Sequence, residues 1–242
     1  MSARIRTFVE NYDEKLNGGI PKGHVVLLAG SPGTMKSSLA YSILYKNVIL
    51  ERRKGLYISL EQNRESLEDQ MESLQMSREK AGDNLAILDL AAMRIKLEGL
   101  EGENLMNMLK MYALTIKRSF NYDLLVLDSA DALRVLAEFE DFDMEYFKLF
   151  KWLKGLRITS FLISELPYPS SSSRNGHDFD FVGGEKKDFL ADGILLLTMD
   201  QMGQFETQRR LRCVKMRGTA HETGHFVLGF DSGTFTATKA VA

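Results

Sequence analysis

The chain holds a single cysteine, Cys213, among 242 residues. One thiol excludes an intramolecular disulfide framework and a Cys-rich zinc site. Its four histidines, His24, His177, His221 and His225, show no metal-ligand spacing. Four prolines and 19 glycines are too few for a linker or a collagen-like chain. Lys and Arg (31) nearly balance Asp and Glu (33), leaving a formal charge of -2. No global field therefore draws the protein onto nucleic acid or acidic lipid. No run approaches the ~20 apolar residues of a membrane span. No apolar run follows Met1–Thr7, so no secretory signal is read there. A soluble, cytoplasmic protein is expected.

What is present is a globular composition, 44% hydrophobic and 26% charged. Short apolar runs alternate with longer helical patterns and no internal repeat interrupts them. That predicts one α/β domain over 1–242, with a mostly parallel central sheet and helices on both faces. Strands are expected at His24–Ala29, Gly55–Leu60, Leu85–Leu90, Tyr122–Leu127, Ile158–Ile163 and Gly193–Met199. Helices are expected at Lys36–Arg52, Arg64–Met76, Glu103–Ser119 and Asp143–Gly155, the last opened by the acidic run from Glu138. Residues 1–23 form a lead-in. Phe205–Lys215 and His225–Phe230 predict a C-terminal antiparallel strand pair. Between Leu166 and Asp188, Pro167, Pro169, Ser170–Ser173 and Asn175-Gly176 leave no periodicity. A loop of that length is functional or mobile.

The strongest signal is Gly30-Ser31-Pro32-Gly33-Thr34-Met35-Lys36-Ser37, followed by Ser38. It lies between a buried strand and a helix, the context of a P-loop. Backbone N–H groups and the positive end of the helix make an anion site. Lys36 would reach the β/γ-phosphates of a nucleotide and the Ser37 hydroxyl would ligate Mg²⁺. Met35 stands where the pattern has its second glycine. Glycine is used where the backbone takes positive φ or meets a phosphate. A methionine there would either crowd the site or be accommodated in helical angles.

Two strand ends add carboxylates. Ile58-Ser59-Leu60-Glu61 ends a strand on Glu61, which would take a proton from the water attacking the γ-phosphate. The plainer alternative is that Glu61 caps or pairs the helix near Arg64. Leu124-Leu125-Val126-Leu127-Asp128 is four apolar residues ending in Asp, a Walker B pattern. Asp128 would hold Mg²⁺ through water. Asp131 reads as a helix cap.

These residues together resemble the RecA-type ATPase core. Four further stretches resemble its KaiC-like branch, of the single-domain prokaryotic or archaeal type. They are Tyr12–Gly23, Ile58–Gln62, Phe189–Gly193 and Lys215-Met216-Arg217-Gly218-Thr219-Ala220-His221. The resemblance implies ATP and Mg²⁺ as ligands, bound between neighbouring subunits of a ring, usually a hexamer. It implies that Lys215 and Arg217 reach across as donors to the next subunit's γ-phosphate, with Met216, Thr219 and His221 contacting the same site. It also implies a place near the nucleotide for Ser73. The family commonly has paired carboxylates where this chain has Glu61-Gln62.

Other patterns point elsewhere. The cluster Arg209-Arg210-Leu211-Arg212 reads as an exposed strand face, or as a nucleic-acid contact. The 166–192 loop carries three cations against five anions, which disfavours nucleic acid. Ser170–Ser173 offers hydroxyls to an autokinase reaction. The main alternative to an ATPase is a protein that binds ATP for regulation or scaffolding and hardly turns it over. A further protein partner is expected but not identified by any motif.

Overall fold

A computed structural model describes residues 3–90, 92–93, 105–136, 141–165, 189–203 and 206–240. The expected loop at 166–188, with Ser170–Ser173, lies outside them.

The central strand is β3 (Val25–Gly30), six residues buried without exception. A strand this uniformly apolar suits a parallel sheet covered on both faces. It lies between β7 (Thr159–Glu165) and β8 (Gly193–Met202), parallel to both. Beyond β7 come β6 (Leu124–Asp128), β4 (Gly55–Ser59) and β5 (Leu85–Asp89), all parallel. On the other side β9 (Glu206–Met216), β10 (Phe226–Asp231) and β11 (Thr234–Lys239) run antiparallel. The nine strands order as β11-β10-β9-β8-β3-β7-β6-β4-β5. The expected C-terminal pair is present as β9 and β10, and β11 extends it. Ser232 (φ 46°) and Gly233 (φ 75°) form the two-residue turn into β11, both left-handed as a tight hairpin requires.

Helices α1 (Lys36–Glu51), α2 (Arg64–Ser73) and α3 (Arg78–Ala81) follow the first strands. α4 (Leu105–Phe120), α5 (Ala130–Leu136) and α6 (Phe142–Gly155) follow the later ones. α2 stops three residues short of its expected end, because Gln75 takes φ 61°. Asp141 caps α6, its carboxylate accepting from the Met144 N–H at 3.0 Å.

One hydrophobic cluster buries α1 against the sheet, and the other buries α4 and α6 against the opposite face. The lead-in, which pairs β1 (Arg4–Ile5) with β2 (Ile20–Pro21), lays Ile5, Tyr12 and Leu16 over α1. That explains why α1 is apolar nearly all round: it is covered on both sides.

Candidate functional site

The crevice lies at the carboxyl ends of β3, β6, β7 and β4, where open α/β sheets bind ligands. It is a cavity of about 300 Å³ walled by Lys36, Ser37, Glu61, Asp128, Ser129 and Glu165, among others. Another hollow of similar size, about 320 Å³, lies against the lead-in near Phe8 and Glu10. Only the first brings a P-loop and strand-end carboxylates together.

The loop from Gly30 turns tightly into α1. Gly30 has no room for a side chain: a Cβ there would sit 2.3 Å from the Leu197 carbonyl oxygen. Gly33 has φ 80° and Met35 φ 69°. Met35 is therefore left-handed, the conformation for which the P-loop pattern uses glycine, and not helical. Its half-buried side chain packs against the core cluster and also borders the cavity. Thr34 is fully buried, its hydroxyl donating to the Ser31 carbonyl at 2.8 Å. Lys36 Nζ donates to the same carbonyl at 3.0 Å. Burial lowers the Lys36 pKa, opposed by the carboxylates of Glu165, Asp128, Glu61 and Asp131 around it.

Asp128 is 8% exposed. Tyr57, from β4, donates its hydroxyl to Oδ2 at 2.5 Å. Burial raises the Asp128 pKa, and the Tyr57 and Ser37 hydroxyls pull it back. Glu61 accepts from the Ser129 hydroxyl. The Asp128–Ser129 peptide is cis. Ser129 also accepts from the Ala132 N–H at 3.1 Å and so caps α5. The expected cap, Asp131, instead takes the Glu165 N–H at 2.6 Å. Tyr57, Ser129 and Glu165 escape sequence reading because only strand pairing brings them here.

Ser73 is not part of this cavity wall. It donates to the Gln70 carbonyl at 2.7 Å in the last turn of α2, and Gln70 is the residue that faces the cavity. Gln62 does not line the cavity, and its carbonyl accepts from the Ser59 hydroxyl at 2.6 Å.

Lys215 and Arg217 lie elsewhere. The Asp192 carboxylate accepts from the Val25 N–H, and the Arg217 N–H donates to the Asp192 carbonyl. Arg217 thus belongs to the amino end of β3, roughly 17 Å of strand from the P-loop, whereas Lys215 pairs with Ile194, level with Leu27 in mid-strand, and its Nζ lies 3.5 Å from the Phe189 carbonyl. Arg217 Nη1 pairs with Asp192 at 3.0 Å and Nη2 donates to the Phe189 carbonyl at 2.9 Å. Met216 is 3% exposed and its side chain packs on Gly193. The Thr219 hydroxyl accepts from Arg4 at 3.0 Å, and His221 Nδ1 lies 3.1 Å from the Thr219 carbonyl. The basic cluster is used within the chain: Arg209 bonds the Gly33 carbonyl, Arg210 pairs with Asp200, and Arg212 bonds the Thr223 carbonyl.

A family model described as "ATPase: KaiC" matches residues 5–234. The chain belongs to the KaiC ATPase family. It is 27% identical over 92% of its length to the circadian clock oscillator protein KaiC of Picosynechococcus, and covers 42% of that protein. It therefore spans less than half of such clock proteins. A UPF0273 protein of Aeropyrum pernix is 30% identical, with 91% of this chain and 88% of that protein aligned. Another, from Methanocaldococcus jannaschii, is 29% identical over 90% and 89%. In fold, the crystal structure of a KaiC-like protein from Pyrococcus horikoshii OT3 matches with TM-score 0.80 and 22% identity, covering 98% and 99% of the two chains. The architecture is the RecA-type α/β fold of this family. Membership and the P-loop together support ATP binding. Among the described residues no helix is long and apolar enough to cross a membrane.

Proposed function

We propose that this protein binds Mg-ATP between neighbouring copies in a ring, most simply a hexamer, and hydrolyses it slowly. The observation that carries this reading is the separation within one chain of the P-loop from Lys215 and Arg217. Arg217 is bonded at the amino end of β3, the P-loop leaves its other end, and the Lys215 ammonium lies at the same Phe189 carbonyl as Arg217. A cation at the amino end of the sheet has no route to its own γ-phosphate, so any γ-phosphate that it meets belongs to a neighbour.

Mg²⁺ fits the donors present. It is a hard cation that keeps several waters and takes one or two protein oxygens. The Ser37 hydroxyl and Asp128 carboxyl share the cavity wall and would hold it, Asp128 through water. The metal would neutralise phosphate charge. Lys36 would exchange the Ser31 carbonyl for a phosphate oxygen. Glu61 would take a proton from water as the water oxygen bonds to the γ-phosphorus and the bond to the ADP oxygen breaks. Arg217 would leave Asp192 for the neighbour's phosphate. It is half exposed, and surface pairs are worth about 0–1 kcal/mol, so this exchange is cheap.

Slow turnover is supported by groups that start engaged: Lys36 on Ser31, Glu61 on Ser129, Arg217 on Asp192. The same contacts favour the second reading, an ATP-dependent regulator with almost no hydrolysis. Released phosphate and particle mass, measured together with ATP, separate the two. The interface is tested by mixing Arg217→Ala with Glu61→Ala subunits. Each mixed interface pairs an intact base with an intact donor, so partial activity returns. No rescue in mixed rings, verified by mass, rejects action across the interface.

A further inference from the structure

Glu165 ends β7 in register with Gly30, the first residue of the P-loop. Its place in the sheet is informative. β7, β6 and β4 are neighbours and end on one crevice. Ser59 of β4 pairs with Asp128 of β6. Continuing the Leu127–Leu162 register by one step sets Ile163 of β7 level with Asp128. Glu61 thus lies two residues beyond Asp128's level on one side, and Glu165 two residues beyond it on the other. At about 4.8 Å per strand, their backbones flank Asp128 about 10 Å apart. Both border the cavity that holds Lys36.

Two more observations separate Glu165 from an ordinary strand-end carboxylate. Its N–H is clamped to Asp131 at 2.6 Å, which fixes the backbone from which the side chain projects. It also lines the same cavity wall as Lys36 and stands first among the carboxylates whose field favours the charged form of that lysine. Gln62, next to Glu61 in sequence, does not line this cavity.

We propose that Glu165 is the second carboxylate of the hydrolytic site. It accepts one O–H of the attacking water while Glu61 takes the proton of the other. The water oxygen bonds to the γ-phosphorus, the bridging bond breaks, and ADP leaves with the electron pair. The proton held by Glu61 then passes to phosphate or solvent. Glu165 only positions the water, so its effect belongs to turnover and not to ATP affinity. The inference rests on the hydrolysis reading above.

The test measures phosphate release and ATP affinity for wild type, Glu165→Gln, Glu165→Asp, Glu61→Gln and the double Gln variant, with Lys36→Ala as baseline. Glu165→Gln is expected to lower kcat roughly 10- to 100-fold, with ATP affinity within about threefold and an unchanged melting temperature. Glu165→Asp is expected to recover part of the rate. The double variant is expected to fall no more than about threefold below Glu61→Gln alone, because the two act on one water. Unchanged kcat in Glu165→Gln overturns the proposal, as do fully additive losses. So does tighter ATP binding at unchanged kcat, which leaves Glu165 a counter-ion of Lys36. Wild-type turnover no greater than that of Lys36→Ala overturns hydrolysis itself and this proposal with it. Loss in Glu61→Gln without loss in Glu165→Gln overturns this proposal alone.

Discussion

Replacing Met35 by glycine and by alanine tests the backbone of the phosphate loop. Met35 has φ 69° and ψ 32° and precedes α1. An L-residue in this region costs roughly 1–2 kcal/mol. Its half-buried side chain returns part of that, about 1 kcal/mol, half the value of full burial. Met35→Gly removes the conformational cost, loses the packing, and adds roughly 0.5–1 kcal/mol of unfolded-state freedom. The sum lies within about 1 kcal/mol of zero. Met35→Ala keeps the cost and loses the packing, so it destabilises by about 1 kcal/mol. Glycine should therefore be the more stable of the two. Were residue 35 in the helical region, alanine would win by about 1 kcal/mol. The sign, not the size, decides. Urea unfolding midpoints of both variants without nucleotide give the answer, and for a chain of this size 1 kcal/mol also moves Tm by about 2–4 °C. An alanine variant as stable as the glycine variant, or more so, refutes the left-handed loop. ATP affinity in Met35→Gly should equal or exceed wild type. Abolished binding would show instead that the methionine is a positive contact.

Two other substitutions probe the ends of β3. Gly30→Ala places a Cβ 2.3 Å from a backbone oxygen of β8, which no side-chain rotation relieves. It should cost roughly 1–3 kcal/mol and weaken ATP binding, and a Tm within 2 °C of wild type would show that the strands part freely. Asp192 is a titration probe: burial alone would raise its pKa, but Lys154, the Val25 N–H and Arg217 win and hold it below the usual carboxylate value. Its stabilisation is therefore complete above the unfolded value of about 3.9 and is lost as pH falls through the depressed folded value. Asp192→Asn should be less stable than wild type at pH 7, with the two stability curves converging in acid, whereas parallel curves would reject the ion pairs as the source.

The local patterns in the chain were enough for the alternation of strand and helix and for the parallel core. They sufficed because β3 and β6 are continuous apolar runs bounded by a glycine loop and an aspartate, and such runs bury on both faces in any parallel sheet. The P-loop was readable for the same reason: its geometry lies within eight consecutive residues. β11 was not, since its alternating threonines carry a weak apolar signal that only pairing with β10 completes. The side that α2 presents was not readable, because helix phase is not fixed by a motif; α2 lines the cavity with Gln70. Tertiary structure alone decided that Tyr57 bonds Asp128, that Ser129 holds Glu61, and that Glu165 shares a cavity wall with Lys36. Each of these pairs joins residues far apart in the chain. Their meeting depends on strand order, which the sequence encodes only through the energy of the whole packed sheet. The remoteness of Arg217 from its own P-loop follows from the same order. β9 returns antiparallel to β8, and that carries the residue to the amino end of the sheet.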